Sequence, residues 1–549
     1  MNNIEHIQQA FIQYLSDAFS IDPKDLRSCT PLLNDDASKA QFGDLSSNAP
    51  LVLAKLRKEN PVTVSQKINT EFSHPSIEKV EIAGPGFLNF FLTQEAWKVA
   101  AQELFQGGKR YFKPDIEKKK KYSVEFVSAN PTGPLHVGNG RGGILGDVLG
   151  NVLSFVGHDV VKEYYINDAG AQVKKLGMSL LIRCQQLMGI EAELPEDGYQ
   201  GSYLIDIAQK CVSEYGKKIL EKEESFFQEY AKEHTLALIK QTLEQFGIQY
   251  TSWFSETTLH KNKSIDQIIH QLKQADLIYE HENALWFKST VFGDDKDRVV
   301  RKASGEWTYV SADIAYMKNK IDRGADNLVM VLGQDHHSFT IRLKAIQQAL
   351  ELTTHPLDFI LYQLVRIKAG ENHARLSKRA GTIITLSHLI EAVGKDVARF
   401  FFLNRKADAH LDFDLDLALK HTEENPVFYI QYAYVRIKSI LARAAQEKSL
   451  DNISSSDAQH LEADEHALLK KLISLKDLLL TIATNYQVHL LAHYSVDIAH
   501  AFHHYYAKCR VIDMENIAAS RARLFMLMLV KNTLETTFDL MGISKPDRM

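Results

Sequence analysis

The chain has 549 residues, with 64 Lys or Arg against 69 Asp or Glu, and a formal charge of −5. At about 100 to 200 residues per domain, this length predicts three or four domains. A content of 45% hydrophobic and 24% charged residues excludes a wholly disordered or collagen-like chain. The charge gives no overall attraction to nucleic acid, so a polyanionic partner would have to be held by local basic patches.

The cysteine spacing and the N-terminal sequence indicate the compartment. The four cysteines are far apart and form no CxxC pair, which argues against a disulfide framework and a thiolate zinc site. The first residues lack the basic and apolar regions of a signal peptide. No apolar run approaches the roughly 18 residues of a membrane span. We therefore expect a soluble cytoplasmic protein with no membrane segment.

Residues 1–112 have the pattern of a small α+β domain. Apolar residues at helical spacing between Ile4 and Leu15 predict an amphipathic helix. Two strand-like runs follow, around 80–82 and 87–92, joined by a Gly-Pro-Gly turn. The lysine run at 118–121 then predicts a linker, whose side chains are either solvated or in contact with phosphate.

Residues 113–411 alternate β-branched runs with helical stretches, as a parallel α/β sheet does. The clearest predicted strands are Val124–Val127, Val160–Ile166 and Leu328–Leu332. Helical, charged sequence between about 185 and 300 predicts an insertion between the halves of the sheet. Residues 412–549 repeat apolar residues in steps of three and four, which predicts a helical bundle.

A strand, a Pro-bounded loop and a Gly-rich helix follow one another from Tyr122 to Asp147, an arrangement that makes an anion site at the helix N-terminus. So many helical glycines indicate close approach of a flat ligand or a neighbouring backbone. Gly138, Gly140 and Gly143 also satisfy the dinucleotide fingerprint G-x-G-x-x-G. That fingerprint turns directly off its strand, however, whereas residues 128–135 intervene here and place His136 ahead of the glycines.

Two further groups of residues suggest ligands. Tyr309 and Asp313 are four apart, so a helix would put them on one face, where a carboxylate could bind a planar guanidinium. Taken alone, the pair is better explained as a surface tyrosine with a capping or salt-bridged aspartate, and only the motifs described below favour the binding site. The sequence Asp335-His336-His337 after a strand is compatible with a metal site, but such a site needs further acidic ligands on other strands. We favour contact of these histidines with a nucleotide.

Two motifs carry a family resemblance. Pro134-Leu-His-Val-Gly-Asn139 resembles the HIGH motif of class I aminoacyl-tRNA synthetases, and Arg375-Leu-Ser-Lys-Arg-Ala-Gly-Thr382 resembles their KMSKS loop. Asn139 replaces the second histidine of HIGH, and Arg375 and Arg379 replace the first lysine and last serine of KMSKS. Flanking sequence over nearly the whole chain is similar to the arginyl-tRNA synthetase family. The stretches that carry this similarity are 125–131, 165–172, 307–316, 331–339, 428–437 and 539–549.

The resemblance implies a role for each matching residue. The implied catalytic residues are His136, Asn139 and Lys378. The implied ATP-binding residues are Pro131, His136, Gly138, Asn139, Gly333, His336, Ser377 and Lys378. The implied arginine-binding residues are Glu125, Asn130, Tyr309, Asp313 and Gln334. The implied tRNA-binding residues are Tyr432 and Arg436.

The resemblance also implies the architecture and the reaction. We expect a multidomain α/β protein: an N-terminal α+β domain that binds the tRNA corner (1–112), a Rossmann-like catalytic domain (113–411) and an all-α anticodon-binding bundle (412–549). The expected activity is ligation of L-arginine to tRNA(Arg) by way of arginyl-adenylate, with activation dependent on tRNA. ATP would bring Mg²⁺ with it, the protein would bind no zinc or other metal, and it would act as a monomer. The alternative is an RNA-binding relative that has kept this scaffold without catalysis.

Overall fold

The computed structural model describes residues 2–35, 41–116, 118–368, 370 and 384–549. The stretch that resembles KMSKS, with Ser377 and Lys378, lies outside these ranges. Within them, no helix has both the length and the apolar content needed to cross a membrane.

An antiparallel sheet with the strand order β1-β2-β4-β3 forms the centre of the N-terminal region. Its strands are β1 (Leu32–Leu33), β2 (Leu45–Ser47), β3 (Ile77–Ala83) and β4 (Phe87–Leu92). The helices around it are α1 (Asn3–Phe19), α2 (Ala49–Arg57), α3 (Pro61–Glu71) and α4 (Gln94–Gly107). A capping box between Asn2 and Glu5 begins α1, which buries Ile4 and Leu15 as its apolar spacing predicts. The predicted helix and strand pair are both confirmed.

A five-stranded parallel sheet with the order β12-β11-β5-β6-β7 forms the centre of the molecule. Its strands are β5 (Lys121–Phe126), β6 (Asp159–Ile166), β7 (Ser252–Ser255), β11 (Asn327–Gly333) and β12 (Leu357–Tyr362). The three clearest predicted strands are confirmed as β5, β6 and β11. The chain runs outward from β5 to β7 and then returns to the other side of β5. Such a reversal opens a crevice at the carboxyl ends of the strands, between β5 and β11.

The interruption predicted at about 185–300 is divided in two by β7, which pairs with β6 and belongs to the main sheet. Before the interruption, α5 (Val137–Phe155) connects β5 to β6. The first part of the interruption is helical and follows from α6 (Ala171–Leu187) into α7 (Ser202–Tyr215) and α8 (Glu224–Gln245). The second part holds α9 (Thr257–Lys261), α10 (Ser264–Gln274) and the antiparallel strands β8 (Ile278–His281), β9 (Ala284–Phe287) and β10 (Arg298–Arg301). Strands of four residues are too short to show a period, which is why the sequence pattern did not separate them.

The chain then returns to the sheet and enters the helical region. Helices α11 (Tyr309–Asp322) and α12 (His337–Ala349) flank β11. Strand β13 (Val365–Lys368) pairs in parallel with β14 (Leu411–Asp414), so residue 412, the predicted start of the helical domain, lies inside a strand. Between them lie α13 (Leu386–Val393) and α14 (Lys395–Leu403). The remaining helices are α15 (Leu415–Ala418), α16 (Pro426–Ala444), α17 (Ala463–Ile473), α18 (Leu475–Asn485), α19 (His489–Lys508) and α20 (Ile517–Met541).

A buried arginine joins α14 to α5, to the end of α8 and to the last helix. Arg399 of α14 donates to the carbonyl oxygens of Met541 at 2.7 Å and Phe246 at 2.8 Å, and to Asp147 Oδ2 at 2.6 Å. Lys162 Nζ lies 2.7 Å from the other oxygen of Asp147, which belongs to α5. Burial alone raises the pKa of Asp147, but the charges of Arg399 and Lys162 outweigh it and hold the pKa below its ordinary value. Three distant parts of the chain therefore meet at one cation.

Candidate active site

Several of the described residues predicted to bind ATP and arginine lie at or near the carboxyl edge of the parallel sheet. His136 follows β5, and Gly333 ends β11, the neighbouring strand. Asp313 lies one turn into α11, which packs across the same sheet. Polar groups at this edge face the crevice between β5 and β11, where parallel sheets of this kind bind ligands.

His136 is the N-cap of α5. Its Nδ1 accepts a hydrogen bond from the backbone N–H of Asn139 at 3.3 Å, and Asn139 Oδ1 accepts one from the backbone N–H of His136 at 3.0 Å. Partial desolvation lowers the pKa of His136 below 6.5, against the charge of Asp335, which raises it. A neutral imidazole that accepts at Nδ1 carries its proton on Nε2. His136 can therefore donate a hydrogen bond from Nε2 while its Nδ1 caps α5, whose N-terminus favours an anion.

Most of the glycines of α5 serve packing instead of ligand access. A Cβ atom on Gly146 would lie 2.2 Å from the ring of Phe126, and one on Gly142 would lie 2.6 Å from the ring of Tyr362. Gly138 is different, because its nearest neighbour is the imidazole of His136, 2.9 Å from a built Cβ. The close approach predicted from these glycines is thus made by neighbouring side chains, and only Gly138 faces the candidate nucleotide site.

The loop between β5 and α5 is strained at its start. Val127 has φ +66° and Ser128 has φ +40°, a left-handed conformation that a β-branched residue such as valine rarely adopts. Helix α8 holds the rest of the loop, since its Thr235 Oγ1 donates to the carbonyl oxygen of Pro131 at 2.6 Å. Asn130 Nδ2 donates to Gln172 Oε1 at 2.7 Å. Strain of this kind persists where the surroundings enforce it, often beside active sites, and no residue type in this loop indicates it.

Asp313 carries a buried oxygen that no donor satisfies. Its side chain is 18% exposed, its Oδ2 makes no hydrogen bond, and Arg342 Nη2 lies 3.7 Å from that oxygen. Burial, together with the charges of Glu256 and Glu125, raises the pKa of Asp313 to about 7 despite the opposing charge of Arg342. Tyr309, four residues earlier on α11, is 61% exposed and, like Asp313, lies against Arg342; we call the surface formed by Tyr309 and Asp313 the candidate pocket. The predicted shared face is confirmed.

Glu125 lies deeper, beneath this pocket. Its carboxylate pairs with Nζ of Lys320 from α11, and both side chains are almost fully buried. On the next strand, Glu163 accepts hydrogen bonds from Arg323 and from the hydroxyl of Tyr316. Burial by itself raises the pKa of Glu163, but the hydrogen bond from Arg323 and the charge of Lys320 hold it at about 2. Glu125 therefore acts on the pocket through its charge, with its oxygen already paired.

Glu256 is a pocket residue that the sequence reasoning missed. It follows β7 at the carboxyl edge of the sheet, is 7% exposed, and accepts a hydrogen bond from the hydroxyl of Tyr165 at 2.9 Å. His260 Nε2 lies 3.5 Å from it. Its position directly after a strand would have been the signal, but β7 itself was not predicted.

The turn after β11 carries Gln334, Asp335 and His336, and α12 begins at His337. His336 Nε2 lies 3.6 Å from Asp335 Oδ2. Among the described residues, no three His, Cys, Asp or Glu side chains come together as a metal site would require. The alternative of a metal site at these histidines therefore has no second set of ligands in the described part of the chain.

Residues 384–386, the first described residues after residue 370, lie beside His136. The backbone N–H of Val137 donates to the carbonyl oxygen of Ile384 at 3.2 Å, and that of Leu386 donates to the carbonyl oxygen of Leu135 at 2.8 Å. Ile384 and Leu386 are thus hydrogen-bonded to the residues on either side of His136.

The two residues predicted to bind tRNA stack on one another in the helical region. The guanidinium of Arg436 lies 5.0 Å from the ring centre of Tyr432 on the same helix, and 4.9 Å from that of Tyr506 on α19. The ring of His503 stacks on Tyr432 at 5.9 Å. These four side chains, which we call the aromatic platform, are only partly buried.

Three family models match successive parts of the chain. Residues 5–92 match the N-terminal domain of arginyl-tRNA synthetases, residues 100–408 the class I (R) tRNA synthetase catalytic domain, and residues 430–549 the DALR anticodon binding domain. The catalytic match includes every strand of the main sheet. The fold and the site together define a class I aminoacyl-tRNA synthetase.

Individual relatives narrow this class. The arginine–tRNA ligase of Bacillus subtilis is 41% identical over 514 residues, 92% of each chain, and that of Geobacter sp. is 42% identical over 517 residues, 93% of each. A solved structure from Campylobacter jejuni, 32% identical, covers 83% of this chain and all of its own, with a TM-score of 0.76. The Thermus thermophilus arginyl-tRNA synthetase, 19% identical, shares the fold, with a TM-score of 0.73 over 99% of this chain and 100% of its own. The chain belongs to the arginyl-tRNA synthetase family.

Proposed function

We propose that the carboxyl edge of the main sheet is where this enzyme, like its family, joins arginine to AMP before passing the arginyl group to tRNA. One observation carries the proposal. Asp313 presents a buried carboxylate oxygen without a donor, beside an exposed tyrosine ring, at the ligand-binding edge of a class I sheet. A planar, permanently charged guanidinium fits such a site.

The guanidinium of arginine would lie between Asp313 and Tyr309, with Glu256 as a second carboxylate. Glu125 would add negative charge from below without direct contact, because Lys320 occupies its oxygen. Asn130 and Gln334, at the ends of neighbouring strands, would hold the α-amino and carboxylate end. This orientation directs the substrate carboxylate toward His136.

ATP would bind along the N-terminus of α5. His136, Gly138 and Asn139 would face the phosphates, while Pro131, Gly333 and His336 would line the nucleotide site. Ser377 and Lys378 are assigned to ATP by the resemblance of their motif. Mg²⁺ would arrive with ATP, held largely by phosphate and water oxygens.

The reaction then needs little covalent chemistry from the protein. A carboxylate oxygen of arginine attacks the α-phosphorus, the bond to the bridging oxygen breaks, and pyrophosphate leaves. The Nε2–H of His136 and the charge of Lys378 would stabilise the charge that develops on the phosphate oxygens. A terminal ribose hydroxyl of tRNA next attacks the carbonyl carbon of the adenylate and releases AMP.

The tRNA would lie across all three regions. The aromatic platform, with Tyr432 and Arg436, offers stacking surfaces and a cation to unpaired anticodon bases, as recognition of single-stranded RNA requires. The N-terminal sheet would contact the tRNA corner. The monomeric state and the cytoplasmic location expected from the sequence remain predictions.

Pyrophosphate exchange tests the function. Exchange should depend on arginine, with tRNA present, and should not occur with the other amino acids.

Between pH 6 and 8 the KM for arginine should fall about tenfold, because the Asp313 carboxylate becomes ionised as the pH rises through about 7. Asp313→Asn should raise that KM roughly 100-fold by removing a charged partner, and should abolish its pH dependence.

The same assay, together with a tRNA gel shift, distinguishes the proposed function from the alternatives. Exchange with a different amino acid and none with arginine would refute the substrate assignment. Binding of tRNA in a gel shift, with no adenylate formed under any condition, would establish the non-catalytic RNA-binding relative instead.

A further inference from the structure

Arg342, a residue given no role above, lies against both residues proposed to bind the substrate guanidinium. It belongs to α12, and its guanidinium carbon is 4.9 Å from the ring centre of Tyr309 and 4.7 Å from that of Phe339. Its Nη2 is 3.7 Å from Asp313 Oδ2, and its side chain is only 11% exposed. The chain's own arginine thus sits between an aromatic ring and a carboxylate.

The contact between Arg342 and Asp313 is one of charge without a hydrogen bond. At 3.7 Å the two atoms are beyond hydrogen-bond distance. Both Asp313 Oδ2 and Arg342 Nε are buried without a partner. A buried carboxylate oxygen that lacks a donor is costly, so Asp313 keeps the capacity to accept a donor from a second guanidinium.

The charges around Asp313 leave room for that second cation. Glu125 of β5 is paired with Lys320 of α11. The remaining charged groups with the strongest effect on Asp313 are Arg342 and Glu256, which also lies 3.5 Å from His260 Nε2, while the nearby hydroxyl of Tyr165 on β6 is uncharged. Two carboxylates and one guanidinium remain, so one substrate guanidinium completes the balance while Arg342 stays in place.

We propose that Arg342 is a positioning residue: its guanidinium keeps the Asp313 carboxylate charged and the Tyr309 ring in place, so that the pocket accepts the substrate guanidinium beside it. This inference rests on the proposed function of the site. An opposite charge at this distance stabilises the ionised carboxylate, and the guanidinium stacks on the aromatic faces. Without it, burial and Glu256 would favour a protonated Asp313 that cannot pair with the substrate.

Two variants separate charge from packing. Arg342→Met keeps an unbranched side chain against Tyr309 and Phe339 but removes the charge. Arg342→Lys keeps the charge and loses the planar stacking group. The measurement is the KM for arginine in tRNA-dependent pyrophosphate exchange from pH 6 to 8.5, with the KM for ATP as internal control and circular dichroism as a check of folding.

In Arg342→Met, the KM for arginine at pH 7 should rise about fivefold, and the midpoint of its pH profile should move up by about one unit, because the positive charge beside Asp313 is gone. The KM for ATP should not change. Arg342→Lys should keep the midpoint of the unaltered protein, and if Arg342→Met fails to fold, Arg342→Gln takes its place in the same comparison.

An unchanged midpoint in the charge-free variant would overturn the proposal. A KM below that of the unaltered protein would also overturn it, since Arg342 would then be a stand-in that the substrate displaces. These results differ from failure of the proposed function, which would show as absence of arginine-dependent exchange before any substitution is made.

Discussion

The Nδ1 atom of His136 caps α5, which leaves Nε2 as the nitrogen available to a phosphate. A structural and a catalytic task thus fall on opposite sides of one ring. Because its pKa lies below 6.5, the ring enters the reaction as a neutral donor at neutral pH. The positive charge in the site would therefore have to come from elsewhere, which agrees with the role proposed for Lys378.

Two substitutions separate the tasks of His136. Asparagine is among the best N-caps, so His136→Asn should keep stability to within about 0.5 kcal/mol while kcat for exchange falls about 100-fold or more. His136→Ala should lose the same activity and about 1 kcal/mol of stability as well. Urea denaturation and exchange kinetics measure the two effects. An asparagine variant with normal kcat would remove the imidazole from catalysis.

For single residues, the sequence predicts which residue belongs to the site better than it predicts the residues that surround it. Tyr309 and Asp313 were found because they share a helical face, a short-range relation. The contacts of Asp313 with Arg342 and Glu256 join different elements across the sheet edge, and no local pattern encodes them. The left-handed backbone of Val127 was also missed, because valine is the wrong residue to predict it.

Among the elements, α5 connects the nucleotide site to the core. It places His136 at its N-terminus, and its glycines let it lie directly on β5, with Gly146 against Phe126. A helix so rich in glycine has poor intrinsic stability, so its order comes from packing on the sheet.

Gly146→Ala should test this close packing. The added methyl would lie 2.2 Å from the ring of Phe126, which is fully buried and cannot move away. We expect a loss of about 1 to 3 kcal/mol in stability, despite the better helix propensity of alanine. Gly143→Ala is the matched control on the same helix, since its nearest neighbour is the flexible end of Ile248 at 2.9 Å. Equal stability of the two variants in urea would contradict the account.

Long periodic elements were predictable and short ones were not. Strands β5, β6 and β11 carry enough β-branched residues to stand out. The four-residue strands β7 and β14 do not. The sequence therefore predicts one continuous interruption where β7 divides it, and it predicts a helical region that starts inside β14. The apolar steps from Leu468 to Ile482 likewise run through Ser474, where the structure ends α17 and begins α18.

Across the whole molecule, the substrate pocket and the aromatic platform belong to separate regions, so they should respond to separate substitutions. Arg436→Met should raise the KM for tRNA in aminoacylation roughly tenfold, because it removes a cation that stacks on two rings, and should leave the KM for arginine unchanged. Ser439→Ala, an exposed change on the same helix, is the control. Equal tRNA kinetics for both would show that the platform does not contact tRNA.

Replacement of the buried Arg399 should lower the stability of the whole protein far more than replacement of an exposed cation. Arg399→Met leaves Asp147 Oδ2 and two carbonyl oxygens without their donor, and we expect a loss of about 3 to 5 kcal/mol. Lys406→Met removes one member of an exposed ion pair with Asp408 and should cost less than about 1 kcal/mol. Thermal unfolding of the two variants compares them. A small change for Arg399→Met would mean that the surrounding chain adjusts to its loss.

Arg399 also makes the completion of the catalytic region depend on α20. One of its three acceptors is the carbonyl oxygen of Met541, the last residue of that helix. A growing chain that has already formed the sheet still holds a guanidinium with an unfilled bonding position until the final helix emerges from the ribosome. Chains that stop before Met541 would therefore lose more than a surface for RNA. They would keep an open position beneath α5, the helix that carries His136, and should be removed by proteolysis faster than full-length chains.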